Sequence, residues 1–256
     1  MLIRVGPETA ETLTPMLEKQ PELAVRASAL LKAYGTERHF FNIWVQNDYG
    51  AVLTRLDSTF SLLDLGGIDY EETAFFLEFN PYFKRLAGEL SAIRNTAAFF
   101  DRNYKLERIN LMKLENFSPV KSAPFVTLVS QPELKEVFHI ITDVMTQETN
   151  FTAWYTDLSH RIRHGCARAF LLRLGGESVS ACLVSAESGS AGLISGLATQ
   201  EDSRCCGFGS RILAGACEAL RASGKTPVLE CFDSLLPFYE KAGFAKIGDE
   251  GELDII

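Results

Sequence analysis

Residue types that could do chemistry concentrate in the run Thr199-Gln200-Glu201-Asp202-Ser203-Arg204-Cys205-Cys206-Gly207-Phe208-Gly209-Ser210. It follows a strand-like stretch ending Gly196-Leu197-Ala198-Thr199. It precedes a helical stripe of Phe208, Ile212, Leu213, Ala216 and Leu220. A strand, a short loop and a helix start bring unpaired backbone N–H groups together at the positive end of a helix dipole. Gly207 and Gly209 keep side chains out of that place, so a bulky anion such as a pyrophosphate can come close to the backbone. Two other phosphate-binding patterns do not fit. A dinucleotide loop needs a third glycine where Ile212 stands, and a Walker loop needs a Gly-Lys-Ser/Thr that the chain lacks.

The pattern Arg204-x-x-Gly207-x-Gly209 resembles the acyl-CoA signature of the Gcn5-related N-acetyltransferases (GNAT), commonly Gln/Arg-x-x-Gly-x-Gly/Ala. About 30 residues later, beyond an intervening strand, Phe238-Tyr239-Glu240-Lys241-Ala242-Gly243-Phe244 resembles a second motif of the same family. The resemblance covers roughly residues 125–256 and implies a GNAT fold with acetyl-CoA as cosubstrate. It implies that the strand Leu197-Ala198-Thr199 offers backbone groups, from Leu197 and Thr199, to the pantetheine arm. Arg204, Cys205, Cys206, Gly207, Phe208, Gly209 and Ser210 would then surround the pyrophosphate. Tyr239 matches the family's frequent general acid, and a phenol suits returning a proton to a thiolate of similar basicity. The family often carries Asn where Phe232 stands here, which leaves Asp233 or Ser234 to take over that contact. Glu230, on the strand before Tyr239, and Glu201, beside the loop, are the carboxylates available as general base; both also suit a solvated or salt-bridged role. The implied reaction is attack of a primary amine, on a small molecule or a peptide, upon the acetyl thioester. A catalytically silent acyl-CoA-binding module is the alternative.

The elements that must position these residues are legible in the second half. A strand near Phe125–Val129 is followed by two helices, then strands at Ala167–Leu174, Val179–Ala186 and Ala191–Thr199. The phosphate-loop helix, capped at Gly224, leads to a buried strand over Thr226–Phe232, a short helix stopped by Gly243, and a final strand pair. The first half repeats much of this order. Helices at Ala10–Glu18 and Glu22–Ala33 precede strands at Phe40–Val45, Ala51–Leu56 and Phe60–Leu65. Helices at Glu71–Glu78 and Ser91–Phe100 and a strand at Lys105–Leu114 follow. The expected fold class is therefore mixed α/β: a GNAT-like central mixed sheet flanked by helices, as two domains in tandem. Residues 1–118 form the copy without a phosphate loop and 119–256 the acetyltransferase domain, with Glu115–Pro124 as linker.

The remaining features read more plainly. With 46% hydrophobic and 23% charged residues the composition is that of a globular protein, and a net charge of −8 speaks against a nucleic-acid partner. No apolar run approaches the roughly 20 residues of a membrane span, so no membrane is expected. Met1 to Pro7 is too short and interrupted for a signal peptide. Six cysteines without zinc or disulfide spacing fit reduced thiols in a cytoplasm. His160 and His164 lack a third ligand, so no metal is expected; a homodimer is compatible with the sequence. Cys205 and Cys206 read as small residues on a backbone-binding loop, and Phe75, Phe76, Phe79, Tyr82 and Phe83 as core of the first half.

Overall fold

The computed structural model describes residues 1–119, 124, 126–144 and 150–256. The first half runs β1 (Ile3–Arg4), α1 (Pro7–Leu17), α2 (Pro21–Tyr34), β2 (Phe41–Gln46), β3 (Ala51–Leu56), β4 (Thr59–Asp64), α3 (Tyr70–Glu78), β5 (Arg85–Glu89), α4 (Leu90–Ala97) and β6 (Tyr104–Leu114). The second runs β7 (Val126–Val129), α5 (Leu134–Val144), α6 (Phe151–Arg163), β8 (Arg168–Leu174), β9 (Glu177–Glu187), β10 (Ala191–Thr199), α7 (Phe208–Ala222), β11 (Thr226–Cys231), α8 (Leu236–Lys241) and β12 (Phe244–Ile255). The two halves share one order, β-α-α-β-β-β-α-β-α-β, including β1 and β5, which the sequence reading omits. The expected terminal strand pair is one long strand, β12. Residues 120–123 of the expected linker lie outside the described residues.

Two compact units result. One comprises Met1–Met112, Glu230–Leu236 and Lys246–Ile256; the other comprises Lys113–Leu229 and Pro237–Ala245. The division is thus interleaved where the sequence suggested a single cut near residue 118. In the first unit the strand order is β1-β2-β3-β4-β5-β12-β6. β2, β3 and β4 form an antiparallel meander, β4 runs parallel to β5, and β12 is antiparallel to β5 from Glu250↔Glu89 to Asp254↔Arg85. Pro7 and Pro21 start the two leading helices at positions that need no N–H donor, and Gly35 at φ 64° ends the second. Leu53, Phe60, Leu62, Leu77, Leu86 and Ile93 form the center of this unit's core.

In the second unit the order is β11-β10-β9-β8-β7, antiparallel except for the β10–β11 pair. Adjacent strand residues point to opposite faces of the sheet. Leu183 packs with Val137, Ile140 and Ile141 of α5, whereas its neighbor Cys182 is felt by Cys217 of α7, so a helix covers each face. Close approach of backbone to neighbor is resolved by glycine at two strand positions. A Cβ on Gly192 would stand 2.3 Å from a Leu220 methyl of α7. At Gly196, where φ is +55°, it would stand 3.0 Å from Ile141 of α5.

Gly243 carries the hardest such constraint. Its φ is +94°, a Cβ there would fall 1.8 Å from the Asn116 carbonyl oxygen, and its own carbonyl accepts the N–H groups of Glu115 and Asn116 at 3.0 Å each. Gly243→Ala therefore adds left-handed strain to a backbone clash and is expected to lose about 3 kcal/mol in urea unfolding. A loss below about 0.5 kcal/mol would show that the segment shifts freely.

Candidate acyl-CoA site in the C-terminal unit

Pairing between β10 and β11 stops early. The parallel ladder runs from Ala191↔Thr226 to Ile194↔Leu229, while β10 continues to Thr199 paired only with β9. Two register shifts against β9, between Leu193 and Ile194 and between Ser195 and Ala198, bend the strand away at Gly196. Residues 195–199 thus present a backbone edge without a β11 partner among the described residues. The buried Ser180 hydroxyl donates to the Ala198 carbonyl at 2.7 Å and meets the Thr199 hydroxyl at 2.9 Å, fixing the end of this edge.

The loop then turns on its own backbone. A short 3₁₀ turn, Glu201–Ser203, follows, and the Arg204 Nε donates back to the Thr199 carbonyl at 3.3 Å. Cys205 at φ 61° and Gly207 at φ 80° both adopt the left-handed conformation. Successive turns of this kind aim N–H groups into one concavity. α7 begins directly after, and its N-cap Gly207 supplies no side-chain acceptor. The first N–H of α7 to find a helical carbonyl is that of Arg211, bonded to Gly207 O at 3.1 Å. The N–H groups of Phe208, Gly209 and Ser210 therefore point out of the helix at its positive end. No acidic residue stands in this first turn, and nothing lies within 4 Å of where a Cβ on Gly207 would be.

Tyr239 sits on α8, buried edge-on against Phe238 (centroids 5.0 Å, 75°) and Phe244 (6.1 Å, 74°). The Phe238 ring tip would be 3.8 Å from a Cβ on Gly209, which brings α8 to the start of α7. The structure thus gathers Leu197 to Thr199, Arg204 to Ser210 and the Phe238–Tyr239 pair within one unit. Glu201 is exposed on the 3₁₀ turn.

The other expected carboxylates lie in the first unit. Glu230 is ion-paired to Arg26 of α2 at 2.5 Å, and Asp233 is held by Asn110 Nδ2 at 2.8 Å and Arg108, which keep its carboxyl below the usual range. Glu230 lines a small cavity together with Arg26, Glu89, Glu250 and Glu252. Burial, and then the Glu230 charge, pushes the Glu250 carboxyl up to about 7. Across the ladder Glu250 stands directly opposite Glu89, an unfavorable like-charge pair. Sequence reasoning missed Glu250. Its signal was the alternation Glu250, Glu252, Asp254, which places three carboxylates on one face of a strand.

Residues 134–244 match the model of the acetyltransferase (GNAT) family. The match lies within the C-terminal half and includes both of its motifs. No curated protein matches the chain. Among solved structures it is similar to a GCN5-related N-acetyltransferase from Kribbella flavida, with 15% identity over 91% of this chain and 95% of that one and a TM-score of 0.67. A Drosophila protein is similar at 10% identity, 100% and 98% coverage and a TM-score of 0.74. A tandem GNAT protein from the clavulanic acid biosynthesis pathway is similar at 13% identity, 100% and 98% coverage and a TM-score of 0.66. These likenesses establish the fold, and the tandem one spans both halves. The GNAT fold supports acyl transfer in general.

The corresponding helix start in the first unit is built differently. After β4, Asp64 Oδ1 accepts the N–H groups of Gly66 (2.7 Å) and Gly67 (3.3 Å). Asp69 then caps α3 by accepting the Glu72 N–H at 3.0 Å, and Glu71 and Glu72 occupy the first turn. This copy satisfies its own N–H groups with carboxylates.

Because the folded state raises the Glu250 pKa from an ordinary 4.5 to about 7, it favors the protonated carboxyl. Its contribution to stability is present below pH 4.5 and is lost as pH rises through about 7. Urea midpoints are expected to fall from pH 5 to pH 8 in the wild type, and to fall less in Glu250→Gln. Parallel profiles would show that Glu250 titrates normally.

Proposed function

We propose that the chain is an acetyl-CoA-dependent N-acetyltransferase. The uncapped start of α7, facing the unpaired edge of β10, carries the reading: it is a polar surface with N–H groups to give and no acceptor of its own. The pyrophosphate of the donor lies on Arg204, Cys205, Cys206, Gly207, Phe208, Gly209 and Ser210. The pantetheine amides add along Leu197, Ala198 and Thr199 as a short extra strand. This places the acetyl thioester toward α8. The amine nitrogen attacks the thioester carbonyl, the C–S bond breaks, and the departing thiolate takes the Tyr239 phenol proton, while the amine's proton passes to water, from which the phenolate regains one. Holding both reactants together supplies much of the acceleration. Glu230 is occupied by the Arg26 guanidinium, so the acceptor is a primary amine, on a small molecule or peptide, that arrives unprotonated.

Calorimetry is expected to give one coenzyme A per chain, because only one of the two helix starts is free of carboxylates. Replacing Gly209 with Val fills the place kept for the phosphates and weakens that binding at least about tenfold. With acetyl-CoA and a panel of amines, thiol release follows; Tyr239→Phe lowers kcat about 100-fold and leaves the KM for acetyl-CoA nearly unchanged. Binding without thiol release for any amine identifies a silent acyl-CoA-binding module, and absence of binding removes the donor assignment altogether.

A further inference from the structure

We propose that the C-terminal unit holds a second ligand site, for a small anionic molecule with an apolar body. It is a cavity of about 810 Å³ lined by residues from the end of α6, the start of β8, the end of β9 and the segment after α7. That size is within the roughly 300–1,000 Å³ of small-molecule sites. Leu134, Ile162 and Phe170 provide apolar wall, and the charged lining is Arg163, Arg168, Lys225 and Glu187. Three cations against one carboxylate leave two positive charges in surplus, in a chain whose net charge is −8.

The surplus can be assigned to particular groups. Glu187 is buried, its side chain 2% exposed, and it accepts Arg168 Nε at 2.7 Å and Nη2 at 2.8 Å. Arg168 also donates to the Ala219 carbonyl at 3.0 Å and the Ser223 hydroxyl at 2.9 Å. These two side chains neutralize each other and form a fixed floor. Lys225 also reaches Glu187, at 2.7 Å, but an ammonium has three donors and this contact uses one. Its side chain is only 14% exposed, so its charge is largely withheld from bulk water. Arg163 is exposed at the last turn of α6 and pairs with no carboxylate among the described residues. Lys225 thus shares its one carboxylate with Arg168 and Arg163 has none, so the half-apolar cavity holds more cations than anions, and a partly buried charge is costly unless it is fully compensated. A carboxylate or phosphate ester supplies that partner, with a ring or short alkyl group against Leu134, Ile162 and Phe170.

This cavity is not the donor loop. It adjoins the C-terminal end of α7, whose 15 residues span about 20 Å from the Phe208 end. The proposal therefore stands independently of the donor assignment.

The test is calorimetry on the full chain with sodium benzoate and phenyl phosphate as probes and benzamide and benzyl alcohol as neutral counterparts. The anions are expected to bind at least about tenfold more tightly than the neutral molecules, with the stronger of the two identifying the headgroup. Arg163→Gln, an exposed change that leaves the Glu187 floor intact, is expected to weaken anion binding about tenfold, and Lys225→Gln at least as much. Saturating coenzyme A leaves these affinities unchanged. Equal binding of benzamide and benzoate, full affinity in Arg163→Gln, competition with coenzyme A, or no anion binding would each overturn the site. Loss of coenzyme A binding or of thiol release would instead strike the donor reading and leave this site standing.

Discussion

A parallel strand pair that stops pairing after four rungs is the constraint on which the rest of each unit depends. In the second unit the ladder ends at Ile194↔Leu229, and in the first it ends at Leu62↔Gly88. Backbone N–H and C=O groups beyond such an end must be satisfied by something else, because unpaired polar groups are costly away from water. The two units answer differently. The second bends β10 with two register shifts, allowed by Gly196, and leaves the edge and the α7 start open. The first closes the same place with the side chains of Asp64 and Asp69. A few residues therefore separate an open helix start from a self-satisfied one within the same order of elements.

Much of this was legible in the residues. Both motifs of the second half and the complete order of its elements follow from glycine placement and apolar spacing, which are local signals. What escaped was set by neighbors remote in sequence. β5, Arg-Leu-Ala-Gly-Glu, has one fully buried residue, Leu86, and is a strand because β4 and β12 flank it. Gly88 there is required by the approach of the Leu62 carbonyl, whose oxygen would be 2.2 Å from a Cβ. β1, two residues long, exists only as an antiparallel pair with β2. No window of local sequence contains those partners.

The aromatic segment of the first half shows the same limit from the opposite side. Its spacing suggested core, and Phe83 is buried, but Phe75, Phe79 and Tyr82 are more than half exposed. Phe75 and Phe79 stack on each other at 4.6 Å, as residues four apart on a helix do, which shelters part of their surface without any core. Tyr82 covers the guanidinium of Arg55 at 4.3 Å. Arg55 is 6% exposed, and its Nε has no partner among the described residues. The aromatic ring offsets part of what that buried cation would otherwise cost. Helical periodicity reports that side chains share a face, not that the face is covered.

Charge placement then separates the two units more sharply than composition does. In the first, Arg26 faces Glu230, Glu250 and Glu252 around one cavity, so carboxylates outnumber the cation and one of them answers by holding its proton to about pH 7. In the second, Arg168 and Lys225 flank the buried Glu187, so cations outnumber the carboxylate. The two kinds of cluster have different ways out. A carboxyl with a raised pKa can neutralize itself from solvent at ordinary pH. An arginine does not lose its proton in a protein at all. An excess of carboxylates can therefore be settled by protons and appears as a pH dependence of stability. An excess of cations that includes an arginine is instead compensated by a bound anion, which is what the second cluster would draw to itself.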